Sequence, residues 1–283
     1  MQELAYVNDA FCPLDQARVS IEDRGFLFAD GVYEVIISYG GKPFRLPEHL
    51  ERLRRSLELV SIAFDVEAAG VADIVQEGIR KSGWDRTQVY MQVTRGVAPR
   101  EHPFPKDAKP TFVAFFRQPR KISPDKREKG IRLIAAPDFR WDRCYIKSIA
   151  LLPNVLAKQG AIDAGADDAV FVTPDCLVHE ATAANVFMIK DGRGRTPDKN
   201  QRILHGITRQ SVLECAQALN IPIDETPVRM DELQAADEVF ITSTTVEILG
   251  VVELDGRPIG NGNVGPLTRA IHEQFTKTIS SHA

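Results

Sequence analysis

The stretch Val32-Tyr-Glu-Val-Ile-Ile-Ser-Tyr39 is rich in β-branched and aromatic residues, and it is followed by Gly40-Gly41 and then by Lys42 to Leu46. This composition predicts a strand, and the two glycines supply the positive φ values that a tight hairpin turn needs. A helix from Pro47 to about Val60 comes next, because leucines recur there every three or four residues along one face. The sequence therefore predicts a hairpin that leads directly into an amphipathic helix.

Outward from this hairpin, further strands and helices are predicted from hydrophobic periodicity. The predicted helices cover 69–81, 155–164, 207–219 and the chain from about Pro266, and the predicted strands cover 89–94, 111–117, 131–136, 168–173, 185–190, 238–242 and a hairpin at 246–259. Strands come in pairs and hairpins as often as they alternate with helices. This pattern favours an α+β fold with antiparallel or mixed sheets over a doubly wound fold.

Two segments without strong periodicity suggest how the chain is divided. Residues 95–110 form a long, proline-containing connection, which is typical of a functional loop, and we name it the arm. Residues 118–130 are polar and charged, which is typical of an interdomain linker. We expect a small N-terminal domain at 1–120, the linker and the start of the second domain at 121–135, and a larger C-terminal domain at 136–283.

Composition excludes several classes of protein. The formal net charge is −4 and the cations are scattered, so no nucleic-acid surface is indicated. No run approaches ~18 consecutive apolar residues, and the first 16 residues contain acids and no apolar core of a signal peptide. The four cysteines form no C-x-x-C pair, so neither a zinc site nor a disulfide framework is suggested. We expect a soluble cytoplasmic protein that binds neither metal, membrane nor nucleic acid.

Lys147 and Glu180 are candidate chemical groups. Lys147 lies between Ile146 and Ser148-Ile-Ala, and an amine in apolar surroundings loses its charge more easily and can attack carbonyls. A lysine with its ammonium group in water at the end of an element is the alternative, and this segment alone favours it. Glu180 precedes the small residues Ala-Thr-Ala-Ala, which would let a flat molecule approach the backbone; a surface glutamate at a strand start is the alternative.

Three further segments contain groups that suit a phosphate. Gly206-Ile207-Thr208 begins a helix, and the first N–H groups of a helix bind anions, although ordinary helix capping explains the pattern equally well. Thr244 lies in a run of hydroxyl residues at a strand end, where β-branched residues are also ordinary. Arg52 borders the leucine stripe of its helix, so its guanidinium group could be held firmly enough for bidentate binding.

Taken together, these segments resemble the fold-type IV pyridoxal-phosphate enzymes, the group of D-amino-acid and branched-chain aminotransferases. The resemblance covers nearly the whole chain, and within the group the arm and Val252-Glu-Leu-Asp-Gly look like the D-amino-acid version. The motifs are Glu22-Asp-Arg-Gly-Phe, Asp30-Gly-Val-Tyr-Glu-Val, His49-x-x-Arg52-Leu, Ile146-Lys147-Ser148, Glu180-x-Thr-x-x-Asn-Val-Phe, Gly206-Ile-Thr208-Arg, Thr242-Ser-Thr-Thr245 and, in the arm, Arg100-x-His102-x-Phe-Pro.

The resemblance implies a cofactor, pyridoxal 5'-phosphate, and assigns roles around it. Lys147 would form the Schiff base and later move the proton between the substrate Cα and the cofactor. Glu180 would pair with the pyridine nitrogen. The phosphate would be bound by four residues, which are Arg52, Ile207, Thr208 and Thr244.

The resemblance also implies where the substrate binds. Tyr33 would line the substrate pocket, and Arg100 and His102 would hold the α-carboxylate, reaching in from the neighbouring subunit of a homodimer. The implied architecture is a smaller N-terminal α/β sandwich and a larger C-terminal domain with a mixed or antiparallel pseudo-barrel sheet that carries the lysine, with the active site between the domains.

The implied reaction is a ping-pong transamination between a D-amino acid, of the D-alanine or D-glutamate type, and a 2-oxo acid such as pyruvate or 2-oxoglutarate. The alternatives are an L-branched-chain aminotransferase, an (R)-amine transaminase, an aminodeoxychorismate lyase, and a cofactor-free binding protein in which Lys147 is incidental. The best-known D-amino-acid aminotransferases have a sequence like Glu-Val-Val-Lys after the tyrosine, whereas this chain has Glu34-Val-Ile-Ile37 and lacks that lysine. Arg140, Arg143 and Tyr145 have no assigned role.

Overall fold

The computed structural model describes residues 2–7 and 9–282, and these form two compact units. The first unit contains the described residues up to Arg120, the segment Ile146–Ala150 and the residues from Ile279 onward. The second contains Lys121–Tyr145 and Leu151–Thr278. The N-terminal unit therefore includes Lys147, which the sequence places in the C-terminal domain. The physical reason is that its segment hydrogen-bonds to the backbone of a strand in the first unit.

The first unit is a six-stranded sheet with helices packed against it. Its strands are β1 (Leu4–Val7), β2 (Ala10–Pro13), β3 (Gly31–Tyr39), β4 (Lys42–Pro43), β5 (Gln88–Thr94) and β6 (Thr111–Arg117), and its helices are α1 (Arg24–Phe28), α2 (Leu46–Leu59) and α3 (Val71–Ser82). The order is β2-β1-β6-β5-β3-β4, with antiparallel neighbours. Helix α3 approaches β6 so closely that a Cβ at Gly78 would lie 2.1 Å from the Phe116 ring.

The second unit is built on a ten-stranded mixed sheet. Its strands are β7 (Ile131–Pro137), β8 (Asp168–Val172), β9 (Leu177–Ala181), β10 (Asn185–Lys190), β11 (Arg193–Thr196), β12 (Ile223–Glu225), β13 (Val228–Arg229), β14 (Glu238–Ser243), β15 (Glu247–Leu254) and β16 (Arg257–Pro258). Its helices are α4 (Pro124–Lys129), α5 (Leu152–Asp163), α6 (Ile207–Ala218), α7 (Met230–Gln234) and α8 (Pro266–His282), the last of which ends in the first unit.

Six strands of this second sheet form a closed ring. The order β10-β14-β15-β7-β8-β9 returns to β10 through the pair Glu180 and Asn185. The β15–β7 and β7–β8 neighbours are parallel, whereas the other pairs of the ring are antiparallel. The interior is filled by branched aliphatic side chains such as Leu133, Val170 and Val186. The prediction of an α+β fold with a mixed, barrel-like second sheet is confirmed.

Three differences between the structure and the sequence-based elements concern the linker, the first hairpin and Glu180. The polar stretch taken as a linker contains α4, because the Ser123 side chain accepts a hydrogen bond from the Lys126 backbone N–H and caps the helix. The second strand of the first hairpin is only Lys42–Pro43, since α2 begins at Leu46. Glu180 lies inside a strand, β9, rather than before one. Among the described residues, no helix has the length and apolar character needed to cross a membrane.

Candidate active site

Lys147 is held beside the first residues of β3 by backbone hydrogen bonds. The Tyr33 N–H donates to the Lys147 carbonyl oxygen at 2.9 Å, and the Ile149 N–H donates to the Gly31 carbonyl oxygen at 3.1 Å. The Lys147 Nζ atom lies 4.3 Å from the centroid of the Tyr33 ring. A half-buried lysine with its Nζ atom over an aromatic face differs from a lysine that extends into water. The structure thus brings the candidate residues Lys147 and Tyr33 together.

Arg52 and His49, on α2, both bind the carboxylate of Glu34. The Arg52 Nε and Nη2 atoms donate to Glu34 Oε1 and Oε2 at 2.6 and 2.8 Å. The His49 Nδ1 atom lies 2.7 Å from Oε2. Because side chains alternate along a strand, Glu34 points to the face opposite Tyr33, and it is fully buried. Arg52 is therefore fixed by a bidentate ion pair within the first unit.

The charges of this cluster shift two pKa values downward. Burial alone raises the pKa of Glu34, but the charge and hydrogen bonds of Arg52, aided by His49, outweigh it and hold the pKa well below its usual range. Burial lowers the pKa of His49, and the nearby cations Arg52 and Lys147 lower it further, against the opposing effect of Glu34. At neutral pH the cluster therefore consists of a carboxylate, a guanidinium group and a neutral imidazole.

Glu180 lies in the second unit, buried within a set of donors. Its Oε1 atom accepts from Arg140 Nη1 at 2.5 Å, and its Oε2 atom accepts from the Leu204 N–H at 2.9 Å and from Asn185 Nδ2 at 3.2 Å. The residue is only 6% exposed. The alternative of a solvated surface glutamate is therefore wrong. Three donors from separate parts of the unit fix the orientation of this carboxylate.

Arg140 connects Glu180 to a second buried carboxylate. The Arg140 Nε and Nη2 atoms donate to the two oxygens of Asp138, each at 2.9 Å, and the His179 Nδ1 atom lies 2.7 Å from Asp138 Oδ2. Although burial raises the pKa of Asp138, the hydrogen bonds of His179 and Arg140 lower it by more. Arg140, for which the sequence indicates no role, connects Asp138 to Glu180 in a hydrogen-bonded chain that runs His179–Asp138–Arg140–Glu180.

Asn185 joins Glu180 to the start of helix α6 and to the end of β14. Its Nδ2 atom also donates to the Leu204 carbonyl oxygen at 2.8 Å, and its backbone pairs with Thr242. A Cβ at Gly206 would lie 2.1 Å from Asn185 Oδ1, so only glycine permits this approach. The predicted residues Ile207 and Thr208 follow directly as the first residues of α6, with Gly206 as an N-cap that provides no side chain.

The hydroxyl-rich turn after β14 completes this part of the second unit. Thr244 is half-buried in the turn, and the neighbouring Ser243 and Thr245 hydroxyls lie 3.4 Å apart. The Thr242 Oγ1 atom is buried and has no hydrogen-bond partner within the described part of the chain. Buried polar atoms are normally satisfied, so this orphaned hydroxyl, on a strand residue that pairs with Asn185, indicates a missing polar ligand.

Arg100 and His102 are exposed on the arm in the first unit. The Arg100 guanidinium carbon lies 5.1 Å, and the His102 ring centroid 5.6 Å, from the centroid of the Phe28 ring. The two candidate side chains are therefore neighbours on one aromatic ring. No group of three or more potential metal ligands is found among residues 2–7 and 9–282.

Comparison with known proteins identifies the family of the chain. The family model described as Amino-transferase class IV matches residues 31–254. The chain belongs to this family. It is 39% identical over 279 residues to a D-alanine aminotransferase of Staphylococcus haemolyticus, with 98% of each chain covered. It is also 40% identical over 269 residues to a D-alanine aminotransferase of Bacillus licheniformis, covering 94% of this chain and 93% of that one.

The fold of this class IV aminotransferase is similar to that of solved branched-chain amino acid aminotransferases. A branched-chain amino acid aminotransferase of Escherichia coli gives a TM-score of 0.92 at 22% identity, covering 100% of this chain and 96% of that one. A T.th. branched-chain amino acid aminotransferase, complexed with N-(5'-phosphopyridoxyl)-L-glutamate, gives 0.87 at 28% identity, with 99% and 95% coverage. Class IV aminotransferases use pyridoxal phosphate, so the predicted enzyme class and cofactor are confirmed.

Sequence reasoning missed Glu34 and Asn185 as parts of this arrangement. A usable signal existed for Glu34, because an acid between Val32 and Ile36 occupies the buried face of a strand and requires a partner. His49-x-x-Arg52 on the next helix supplies it. Asn185 appears in the Glu180 motif, but its contacts with Gly206 and Leu204 join distant segments of chain and cannot be inferred from spacing.

Proposed function

We propose that this aminotransferase exchanges the amino group between a D-amino acid, of the D-alanine or D-glutamate type, and a 2-oxo acid such as pyruvate or 2-oxoglutarate. The observation that carries the proposal is near-complete coverage by relatives named D-alanine aminotransferases at 38–40% identity. The exposed Arg100 and His102 support it, because two neighbouring donors suit the α-carboxylate that both substrates share.

The donor groups of the chain fit pyridoxal 5'-phosphate, with an orphaned Thr242 hydroxyl and a glycine-dependent helix start as the structural support. Bound pyridoxal phosphate supplies an electron sink for the substrate carbanion. Lys147 would attach through Nζ and carry the proton away from and back to the substrate Cα. Glu180, oriented by Arg140 and Asn185, would hold the proton on the pyridine nitrogen.

The remaining predicted residues take binding roles in this proposal. Ile207 and Thr208 would bind phosphate oxygens through N–H groups at the start of α6, because the first N–H groups of a helix lack intrahelical acceptors. Thr244 adds a hydroxyl group, and Arg52, oriented by Glu34, adds positive charge. Tyr33 would restrict the substrate beside Lys147.

We further propose a cytoplasmic homodimer in which Arg100 and His102 serve the neighbouring subunit. Helix α5 supports this assembly, since Leu152, Val155 and Leu156 lie on one face and are each more than half exposed. Large apolar side chains on one face are typical of a protein interface. The free thiols of the four cysteines agree with a reducing compartment. The change of unit after Arg120 supports a small N-terminal domain at 1–120.

Covalent trapping tests the assigned lysine. Purified enzyme should be yellow, and borohydride should fix the cofactor to the peptide that contains Lys147, as read by mass spectrometry. Lys147→Ala should lose both the label and transamination, whereas Lys129→Ala, at an exposed lysine paired with Asp125, should retain both. Label on another lysine would contradict the assignment. Colourless, inert protein would instead favour a binding protein without cofactor.

The second candidate function is L-branched-chain transamination, which the 28% identity to the T.th. enzyme favours. A substrate panel separates the two. We expect activity with D-alanine and D-glutamate and little with L-leucine or (R)-phenylethylamine, using pyruvate or 2-oxoglutarate as acceptor. Preference for L-leucine would make the branched-chain function correct.

A further inference from the structure

The motif Glu22-Asp-Arg-Gly-Phe and Asp30 have no role in the proposed reaction, yet they contact the arm. Arg24 is 3% exposed, and its Nε atom donates to Asp30 Oδ2 at 2.8 Å. Its Nη1 atom donates to the Glu101 carbonyl oxygen at 2.5 Å, and its Nη2 atom donates to the His102 carbonyl oxygen at 3.3 Å. A buried guanidinium group thus binds the backbone of the arm beside the exposed side chains of Arg100 and His102.

Asp30 also binds the start of the arm through Arg95. The Arg95 Nε and Nη2 atoms donate to both Asp30 oxygens at 2.8 and 2.9 Å, and its guanidinium carbon lies 3.6 Å from the centroid of the Phe104 ring. Burial alone raises the pKa of Asp30, but the hydrogen bonds and charges of Arg95 and Arg24 lower it overall. One carboxylate therefore holds two arginines, one within the arm and one that binds the arm from α1.

Phe28 provides the second point of attachment. Its ring centroid lies 4.8 Å from the Arg24 guanidinium carbon, in addition to its contacts with Arg100 and His102. Cations and imidazole rings pack favourably on an aromatic face. The ring thus lies against both the group that binds the arm backbone and the two exposed side chains of the arm.

We propose that Arg24, Asp30 and Phe28 are positioning residues that hold Arg100 and His102 in the arrangement that binds the substrate α-carboxylate. This inference rests on the proposed function of those two side chains. A connection of the arm's length would lose much conformational entropy on binding if it were mobile, so a pre-formed arm strengthens substrate binding. The three residues act through the arm and contact no reacting atom.

Two variants and one matched control test the proposal in the holoenzyme. Arg24→Met removes the bonds to the Glu101 and His102 carbonyl groups, and Phe28→Leu removes the aromatic ring while leaving the buried ion pairs intact. Arg54→Met is the control, because Arg54 is a partly exposed arginine of the same unit that pairs with Glu51 and Glu67, both outside the arm. We expect faster amide hydrogen exchange at 96–106 in both test variants and wild-type exchange in the control.

Kinetics distinguish positioning from general damage. KM for both the D-amino acid and the 2-oxo acid should rise about 10- to 100-fold in Arg24→Met, while kcat stays near the wild-type value. In an Arg100→Met background, Arg24→Met should add little further increase in KM, since both changes act through one interaction. If Arg24 had a merely structural role, the increases in KM caused by the two substitutions would instead multiply in the double variant.

Negative results would separate the positioning role of Arg24 and Phe28 from the carboxylate-binding function of Arg100. Wild-type exchange and wild-type KM values in both Arg24→Met and Phe28→Leu, with an increased KM in Arg100→Met, would overturn only the positioning role. An unchanged KM in Arg100→Met would overturn the proposed carboxylate function, and this inference with it.

Discussion

Glu34, Asp138 and Glu180 are buried carboxylates, and each binds an arginine and at least one further donor. A buried carboxylate without a partner is strongly destabilising, so the arginines stabilise the fold as well as the candidate site. The orientation of each carboxylate is thereby fixed before any ligand binds. This pre-organisation is what a catalytic site needs at the scale of single residues.

Substitution of Arg140 should show how much the protein is destabilised when buried carboxylates lose their arginine partner. Arg140→Met leaves both Asp138 and Glu180 without their guanidinium partner, so the free energy of unfolding should fall by about 3–5 kcal/mol. Arg143→Met, at a neighbouring exposed arginine, should change it by less than about 0.5 kcal/mol. Urea denaturation of both variants measures the difference. Equal stability of the two variants would show that the buried network contributes little.

His49 and Glu34 predict how stability depends on pH. In the folded protein the pKa of His49 lies below its ordinary value of 6.5, and the pKa of Glu34 lies below its ordinary value of 4.5. As pH falls through these ordinary values, the unfolded chain therefore binds more protons than the folded protein. Stability should therefore be full above pH ~6.5 and decrease below it, with a second decrease below pH ~4.5. In His49→Gln the first decrease should be smaller, which denaturant midpoints between pH 8 and 5 would detect. An identical pH profile in this variant would contradict the assignment.

At the scale of elements, sequence periodicity predicts those segments whose stability depends on one apolar face. Helix α2 and strand β6 are found close to where periodicity places them, because Leu53, Leu57 and Phe116 each follow the expected spacing. Strand β9 is not predicted from the sequence, because it contains His179 and Glu180, whose burial depends on hydrogen-bond partners from other segments. Helix α4 is not predicted either, because none of its residues is buried and it therefore has no apolar face.

The start of α6 shows how one glycine connects an element to the site. An alanine Cβ at Gly206 would collide with Asn185 Oδ1 and displace a side chain that binds both Glu180 and Leu204. Gly206→Ala should therefore destabilise the enzyme by about 1–3 kcal/mol and weaken cofactor binding, measured by titration of the apoenzyme.

Gly160→Ala is the matched control for this substitution. Gly160 lies inside α5 with no heavy atom within 4 Å of an added Cβ, so alanine should stabilise the helix by about 0.5–1 kcal/mol. If Gly206→Ala behaved like this control, the close approach to Asn185 would not matter for the site.

At the scale of the whole molecule, the candidate residues come from distant parts of one chain. The order of motifs in the sequence is enough to indicate the family, and the family match at 31–254 confirms it. Two sets of contacts could not be predicted from the sequence. The hydrogen bonds of Asp138 and Arg140 with strand β9 join residues about 40 positions apart, and the contact of Arg24 with the arm joins residues about 77 positions apart. Such pairs depend on the complete fold rather than on local spacing.

Mixed dimers test the proposed sharing of the active site between subunits. Lys147→Ala should be inactive and Arg100→Met impaired, each as a pure protein. If Arg100 serves the neighbouring subunit, a mixed dimer has one site with both substitutions and one site with neither. Co-expression of the two variants should then restore about a quarter of the wild-type activity at random pairing in a two-fold symmetric dimer. If Arg100 instead served its own subunit, every site in the mixture would carry one substitution, and activity would stay at the level of the two parents.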